Sequence, residues 1–389
     1  KLKRIVLKLA TICDYEYVQT LPDLDGLERI GFKNGLDAFG VAKAKQFTSV
    51  LNILQERKSQ GLHAGMEFTY RNPMRSTTPT ITMPEAQSLI VGARTYWKPE
   101  QQRLSHNKPL GRVALYAQED HYKKLKEGLS AIAAELKKNG FKARILVDDN
   151  ALVDREAAYQ AGIGWYGKNA NILIPRRGSW FVLGSVLTDA KFETNSPIEE
   201  SCGSCTNCID ACPTQAIVSP GVIDGNRCLA WLVQSAEDFP HEFREALGDR
   251  IYGCDDCQDV CPINKFEERI EGHRGTRENH YVSIHNILEQ DDQSLMSNYG
   301  QWYIPKRDPR YLRRNALLVL GNIGKSTDRR TQRVVKRWLS SSDSMLRSYA
   351  VWTAKRLGLT SLLTGMGNDP SRDVQRELSQ KVNTNHKEF

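Results

Sequence analysis

Cys202-Gly-Ser-Cys205-Thr-Asn-Cys208-Ile-Asp-Ala-Cys212-Pro213 is followed by Cys254-Asp-Asp-Cys257-Gln-Asp-Val-Cys261-Pro262, with Cys228 between the two runs. The first run has the spacing C-x2-C-x2-C-x3-C-P, in which thiolates hold iron–sulfur cubanes. Eight such cysteines suffice for two [4Fe–4S] clusters, a path for single electrons.

In this ferredoxin-like layout the last cysteine of a run crosses to the other cluster. One cluster then takes Cys202, Cys205, Cys208 and Cys261, and the other takes Cys212, Cys228, Cys254 and Cys257. The second run is one cysteine short, and Cys228 makes up the number. Pro213 and Pro262 each follow a crossing cysteine and end its turn. Zinc also uses C-x2-C pairs, but a zinc site needs four ligands and rarely this spacing. Disulfides would strand close neighbours, and nothing marks the chain for an oxidising compartment. Cys13 is left over as a spare thiol.

The 389 residues predict two or three domains, and 40% hydrophobic with 26% charged residues is the balance of a globular protein. No apolar stretch approaches the roughly 18–20 residues of a membrane span. The opening Lys1–Ala10 segment only loosely suggests a signal peptide, because Lys8 interrupts its apolar run and no cleavage site follows. A cytoplasmic protein is expected. Charge is unevenly placed: from Lys306 onward there are 18 Lys/Arg against 7 Asp/Glu, an excess of +11, so the preceding residues carry about −3 of the net +8. Such a basic surface attracts polyanions.

Residues 1–195 read as a mixed α/β domain. Buried strands are expected at Ser88–Ala93, Arg144–Val147 and Phe181–Leu187. A helix is expected over Asp120–Lys138, with Leu125, Leu129, Ile132 and Leu136 on one face and Asn139-Gly140 closing it. Residues 196–270 form the cluster module, with helices predicted at Arg227–Val233, carrying Cys228, and at Asp238–Leu247. Residues 271–304 read as a linker. Over residues 305–389, Leu312-Arg313-x-x-Ala316 recurs 34 positions later as Leu346-Arg347-x-x-Ala350, which predicts paired helices stacked as HEAT-like repeats, ended by Gly321 and Gly358. Asp373-Val374 and Leu378 suggest a further helix.

Upstream of the clusters lies the candidate substrate region: Val147-Asp-Asp-Asn-Ala-Leu-Val-Asp-Arg155, Ala161-Gly-Ile-Gly-Trp-Tyr-Gly-Lys-Asn169 and Ile174-Pro-Arg-Arg-Gly-Ser-Trp180. Gly162, Gly164 and Gly167 allow a tight turn and close approach to a ligand. The G-x-G-x-x-G pattern also occurs in dinucleotide sites, but there it follows a strand, and here it follows a predicted helix, Leu152–Gln160.

These segments, continuing into the two cysteine runs, resemble epoxyqueuosine reductases over roughly residues 30–380. That family is similar to reductive dehalogenases in pairing cobalamin with two [4Fe–4S] clusters, and reduces epoxyqueuosine to queuosine at the wobble base of tRNA. The resemblance implies an N-terminal domain that binds base-off cobalamin and basic helical repeats that help hold the tRNA anticodon stem-loop. It implies an external electron donor, no membrane and a monomer. The family's catalytic acid falls on Asp148, with Asp149 and Asp154 as alternatives on residue type alone; a proton donor is required because removing an epoxide oxygen consumes two protons and two electrons. Arg71, Asp148, Arg155, Lys168, Asn169, Ile172 and Leu183 match positions around the corrin. His121 stands where the family order is swapped and receives no role. A reductive dehalogenase acting on a small substrate, or a ferredoxin-type electron carrier, are the competing readings.

Overall fold

The computed structural model describes residues 19–97, 108–265 and 281–385. Cys13 lies outside the described residues. Within them no helix is long and apolar enough to cross a membrane.

The N-terminal part is built on a four-stranded sheet in the order Ala38–Lys43, Ser88–Thr95, Phe181–Thr188, Ala143–Val147. All three pairings are antiparallel, with Leu89 opposite Leu187 and Ile145 opposite Val186. The central strands are apolar along their length because both faces are covered. One face packs on the helix His121–Lys138 through the fully buried Leu125, Leu129, Ile132 and Leu136. Its Asp120 cap accepts from the Lys123 N–H, and Gly140 at φ 83° follows the last turn. The other face packs on the helix Asp154–Gln160 through Ala157 and Ala158.

A second sheet joins distant parts of the chain. Arg250–Tyr252 runs parallel to Leu110–Val113, which pairs antiparallel with Tyr281–Ser283. Residues 281–299 are therefore not a plain linker. They hold that strand and the helices Ile284–Glu289 and Asp292–Tyr299, the first with Ile284, Ile287 and Leu288 fully buried.

The basic C-terminal part contains the helices Arg310–Ile323, Arg329–Leu339, Ser344–Arg356 and Arg372–Ser379. The expected apolar faces are buried: Leu312, Ala316, Val319 and Leu320 in the first, and Leu346, Ala350 and Ala354 in the third with Leu357 at its end; of these, Leu312, Ala316 and Leu320 recur 34 positions on as Leu346, Ala350 and Ala354. One core runs from Val113, Leu229 and Leu247 of the cluster side to Val351 and Val374. Gly358 ends its helix at φ 71°, but Gly321 does not end the first helix, which continues to Ile323. Gly321 is small because a Cβ there would meet the Trp352 ring at 2.5 Å, so it sets the approach of two helices.

Two further helix expectations are corrected. The helix near Cys228 spans only Leu229–Leu232, with Cys228 just before it. Asp238–Leu247 holds a single 3-10 turn, His241–Phe243, and then turns. Pro240 has no N–H to give, and upstream carbonyls are taken by a side chain: fully buried Arg314 donates to Leu232, Ser235 and Glu237 at 3.1, 2.9 and 2.7 Å.

A buried ion pair links this segment to the last helix. Arg244 donates to Glu377 at 2.8 Å, their side chains 4% and 3% exposed. Removing one partner of such a pair strands the other charge in the core. Glu377→Ala is expected to cost about 3 kcal/mol, measured by denaturant unfolding; an unchanged midpoint would show that Arg244 finds water or another acceptor.

Candidate functional site

Asp148 follows the strand Ala143–Val147 and sits at φ 51°, in the left-handed region that few non-glycine residues adopt. The loop is held just beyond this strained residue. Asp149 accepts from the Ala151 N–H at 2.9 Å, Ser76 donates to the Asn150 carbonyl at 2.6 Å, and Arg75 donates to the Asn150 side chain at 3.1 Å. The carboxyl of Asp148 is pushed above the usual range by the protein crowded against it; Lys126 opposes this and Asp149 adds to it.

Asp154, at the start of the next helix, is raised further by burial and by the charges of Asp148 and Asp149, and its Oδ1 has no hydrogen-bond partner. The Tyr122 phenol is raised by burial and then by Asp148 and Asp154, and the Tyr252 phenol also feels Asp148. The charge of Asp148 thus reaches phenols from distant parts of the chain.

Arg71 is exposed and lines an open cleft of about 300 Å³ with Phe68, Asn72, Arg75, Ser76 and Asn150, the last of these two positions beyond Asp148. Ile172 is buried and Leu183 half-buried around one core of the sheet. Arg155 is exposed at its backbone turn, and its charge reaches Asp154, Tyr122, Tyr96 and Cys228. Lys168 and Asn169 are engaged elsewhere: Lys168 donates to the carbonyls of Gly203 and Cys205 at 2.8 and 2.9 Å, and Asn169 donates to that of Cys257 at 3.3 Å. They brace the cysteine loops. His121 is buried, its Nε2 3.3 Å from the Leu115 carbonyl.

The glycine cluster serves the fold. A Cβ on Gly162 would meet the Ser196 carbonyl at 2.5 Å, and one on Gly164 would meet the Leu173 carbonyl at 2.4 Å. The close approach is to protein backbone, and a helix precedes the turn, so the dinucleotide alternative has no geometry to stand on.

The cysteines gather in two groups. Cys202, Cys205, Cys208 and Cys261 line one narrow cavity together with Lys168, Asn169 and Pro262. Cys228 feels Cys212, Cys254 feels Cys228, and Cys257 feels Cys254 and Cys228. Burial pushes the thiols of Cys228, Cys254 and Cys257 up, Cys254 to about 12, so only bound metal would hold these three as thiolates at neutral pH. Cys257 also feels Cys208, which makes the groups neighbours. Cys228 of the second group feels Arg155. The first opens outward, with Ser201, Gly203 and Ser204 exposed.

Sequence reasoning missed Arg75, Asn150, Tyr122 and Tyr252. Asn150 adjoins Asp148 and was within reach of motif reading; the phenols come from segments with no local pattern.

The chain matches the family model for a 4Fe-4S double cluster binding domain over residues 201–264, and the model described as "Epoxyqueuosine reductase QueG, DUF1730" over residues 77–149. It is 30% identical over 360 residues to epoxyqueuosine reductase of Bacillus cereus, covering 90% of this chain and 91% of the relative. It is 35% identical over 280 residues to that of Vibrio cholerae, covering 69% and 75%. Its fold is similar to a crystal structure of epoxyqueuosine reductase with a tRNA-Tyr epoxyqueuosine-modified tRNA stem loop, at TM-score 0.81, 27% identity and coverage of 91% and 96%. It is equally similar to the Bacillus subtilis enzyme with its catalytic aspartate loop swung out of the active site, at TM-score 0.82, 27% identity and the same coverage. The chain belongs to the epoxyqueuosine reductase family.

Proposed function

We propose that this chain reduces epoxyqueuosine to queuosine at the wobble position of tRNA, with two [4Fe–4S] clusters and base-off cobalamin as cofactors. Kinship over nine tenths of the chain with proteins of that activity carries the reading, and the arrangement of residues agrees with it. The donors of the Arg71 cleft (two guanidiniums, two amides and a hydroxyl) suit the amide-fringed edge and phosphodiester of a corrin. The orphaned Oδ1 of Asp154 and indole N–H groups of Trp165 and Trp180 are buried polar atoms that a bound group could satisfy. Arg71, Arg155, Ile172 and Leu183 would hold the corrin, while Lys168 and Asn169 act through the cluster loops.

Taking the epoxide oxygen out as water and leaving a carbon–carbon double bond consumes two electrons and two protons. When bound, the clusters and the corrin cobalt supply the electrons. Asp148 supplies a proton to the departing oxygen: its raised carboxyl keeps that proton at a pH where an ordinary aspartate has lost it. The left-handed backbone at Asp148 and the anchored Asn150 hold the acid where substrate arrives. Cys202, Cys205, Cys208 and Cys261 form the outer cluster, facing an external donor. Cys212, Cys228, Cys254 and Cys257 form the inner one, because Cys228 shares the field of Arg155 with Asp154 and Tyr122. The C-terminal helix pairs are HEAT-like repeats, and exposed Arg329, Arg333 and Lys336 on one helix offer cations to the RNA backbone. The protein works as a soluble cytoplasmic monomer.

An anaerobic assay checks this. Reconstituted protein, cobalamin and a one-electron reductant are given the modified stem-loop, and nucleosides are weighed by mass spectrometry. Loss of one oxygen, dependent on cobalamin, is expected. No conversion by protein holding both clusters and corrin would move the assignment to another reducible substrate.

A further inference from the structure

The loop from Gly300 to Pro309 takes no part in the chemistry above. Within it Tyr303 is 60% exposed, more than any other large hydrophobic side chain among the described residues. Its backbone is nevertheless fixed. The Tyr303 N–H donates to the Tyr252 hydroxyl at 2.8 Å, and that hydroxyl lies 3.2 Å from the Tyr303 carbonyl, to which it donates. The Tyr252 ring stacks on Trp302, centroids 4.7 Å apart at 17°, and the Trp302 indole donates to the Ala117 carbonyl at 2.8 Å. Ile304 and Pro305 are buried behind it. Tyr303 is thus an exposed ring on a rigid stalk.

The stalk is tied to the Asp148 end of the first sheet: Trp302 binds the Ala117 carbonyl just ahead of the helix His121–Lys138, and Leu125 of that helix and Val147, the residue before Asp148, both crowd Gly184. Immediately after it, Lys306 and Arg307 are exposed and sit at φ 52° and 53°. Two consecutive non-glycine residues in the left-handed region are costly, and such strain concentrates at functional sites. Arg307 is steadied by its bond to the Gly300 carbonyl at 3.1 Å. A flat exposed ring with two cations next to it, at the rim of a site whose substrate base belongs to a polyanion, has the chemistry of a platform for an unstacked base.

We propose that Tyr303 stacks on the nucleobase next to the modified one, with Lys306 and Arg307 meeting the adjoining phosphates. This rests on the modified stem-loop being the substrate. Tyr303 holds Tyr252 through backbone atoms, so Tyr303→Ala leaves those bonds in place; cluster absorbance and Trp fluorescence check that it does. Wild type, Tyr303→Ala and Tyr303→Phe are compared on the modified stem-loop and on two loops abasic at the 5′ or 3′ neighbour, with KM from turnover and Kd from fluorescence anisotropy.

The alanine variant is expected to weaken binding about tenfold with kcat little changed, and the phenylalanine variant to match wild type. On one abasic loop wild type should weaken equally and the alanine change should add nothing. Binding within twofold of wild type for Tyr303→Ala, or a full loss persisting on both abasic loops, would overturn the proposal. A wild type that binds the loop but does not convert it would sink the substrate assignment, while the Kd comparison would still decide the role of Tyr303.

Discussion

Asp148→Asn is expected to lower turnover of the modified stem-loop by about 10²–10⁴-fold while leaving the absorption of both clusters and of bound corrin unchanged. Asparagine keeps the shape of the loop residue and, like aspartate, tolerates the left-handed backbone at φ 51°. What is lost is the transferable proton. The pH profile adds a second check with a definite sign. The folded carboxyl is raised by burial, with Lys126 opposing and Asp149 adding. A proton donor works in its protonated form, so the rate is full below that raised pKa and falls as pH rises through it. The residual rate of the asparagine variant should lack this descending limb. Full activity in Asp148→Asn would shift the role to Asp154, which is more deeply buried and also raised. Activity that fell with loss of corrin would make Asp148 a binding residue instead.

Cys228→Ala is expected to halve the iron, from about eight to about four atoms per chain, and to abolish turnover. Cys228 lies outside both cysteine runs, yet it is half-buried within the field of Cys212, Cys254 and Cys257. Loss of the inner cluster cuts the path between the outer cluster and the site. It also leaves the thiols of Cys254 and Cys257, raised by burial, without the metal that would hold them as thiolates. Iron analysis with electron paramagnetic resonance separates the outcomes: one remaining cluster signal agrees with the assignment, and two intact clusters would remove Cys228 from the ligand set. A lower thermal midpoint is expected too, because the cluster contributes to the stability of a module poor in regular structure.

Two kinds of pattern were legible along the chain. Cysteine spacing is local chemistry: ligands two or three residues apart reach a common centre whatever surrounds them, so the two groups could be named from their order. The burial of Leu125, Leu129, Ile132 and Leu136, and of Leu312 and Ala316 with their partners 34 positions on, follows from helical period and was equally readable. Where the sequence misled, a distant partner had intervened. The 238–247 segment lost its helix to Pro240 and to the carbonyl bonds of Arg314, more than 70 positions away. Gly321 looked like a helix end because a terminus and a close helix crossing both call for glycine, and only Trp352 distinguishes them. Lys168 and Asn169 looked like ligand donors until the cluster loops supplied their acceptors.

Residue type and spacing thus carried the redox class and named candidate cluster ligands, while the family resemblance named the candidate acid. Tertiary structure alone decided that the charge of Asp148 reaches phenols at positions 122 and 252, that Lys168 and Asn169 bond to the cysteine loops, and that Tyr303 stands exposed on a fixed backbone. The reason is physical: desolvation and charge coupling depend on distance in space, and a chain folded on antiparallel pairings brings its distant segments together without marking them in its order.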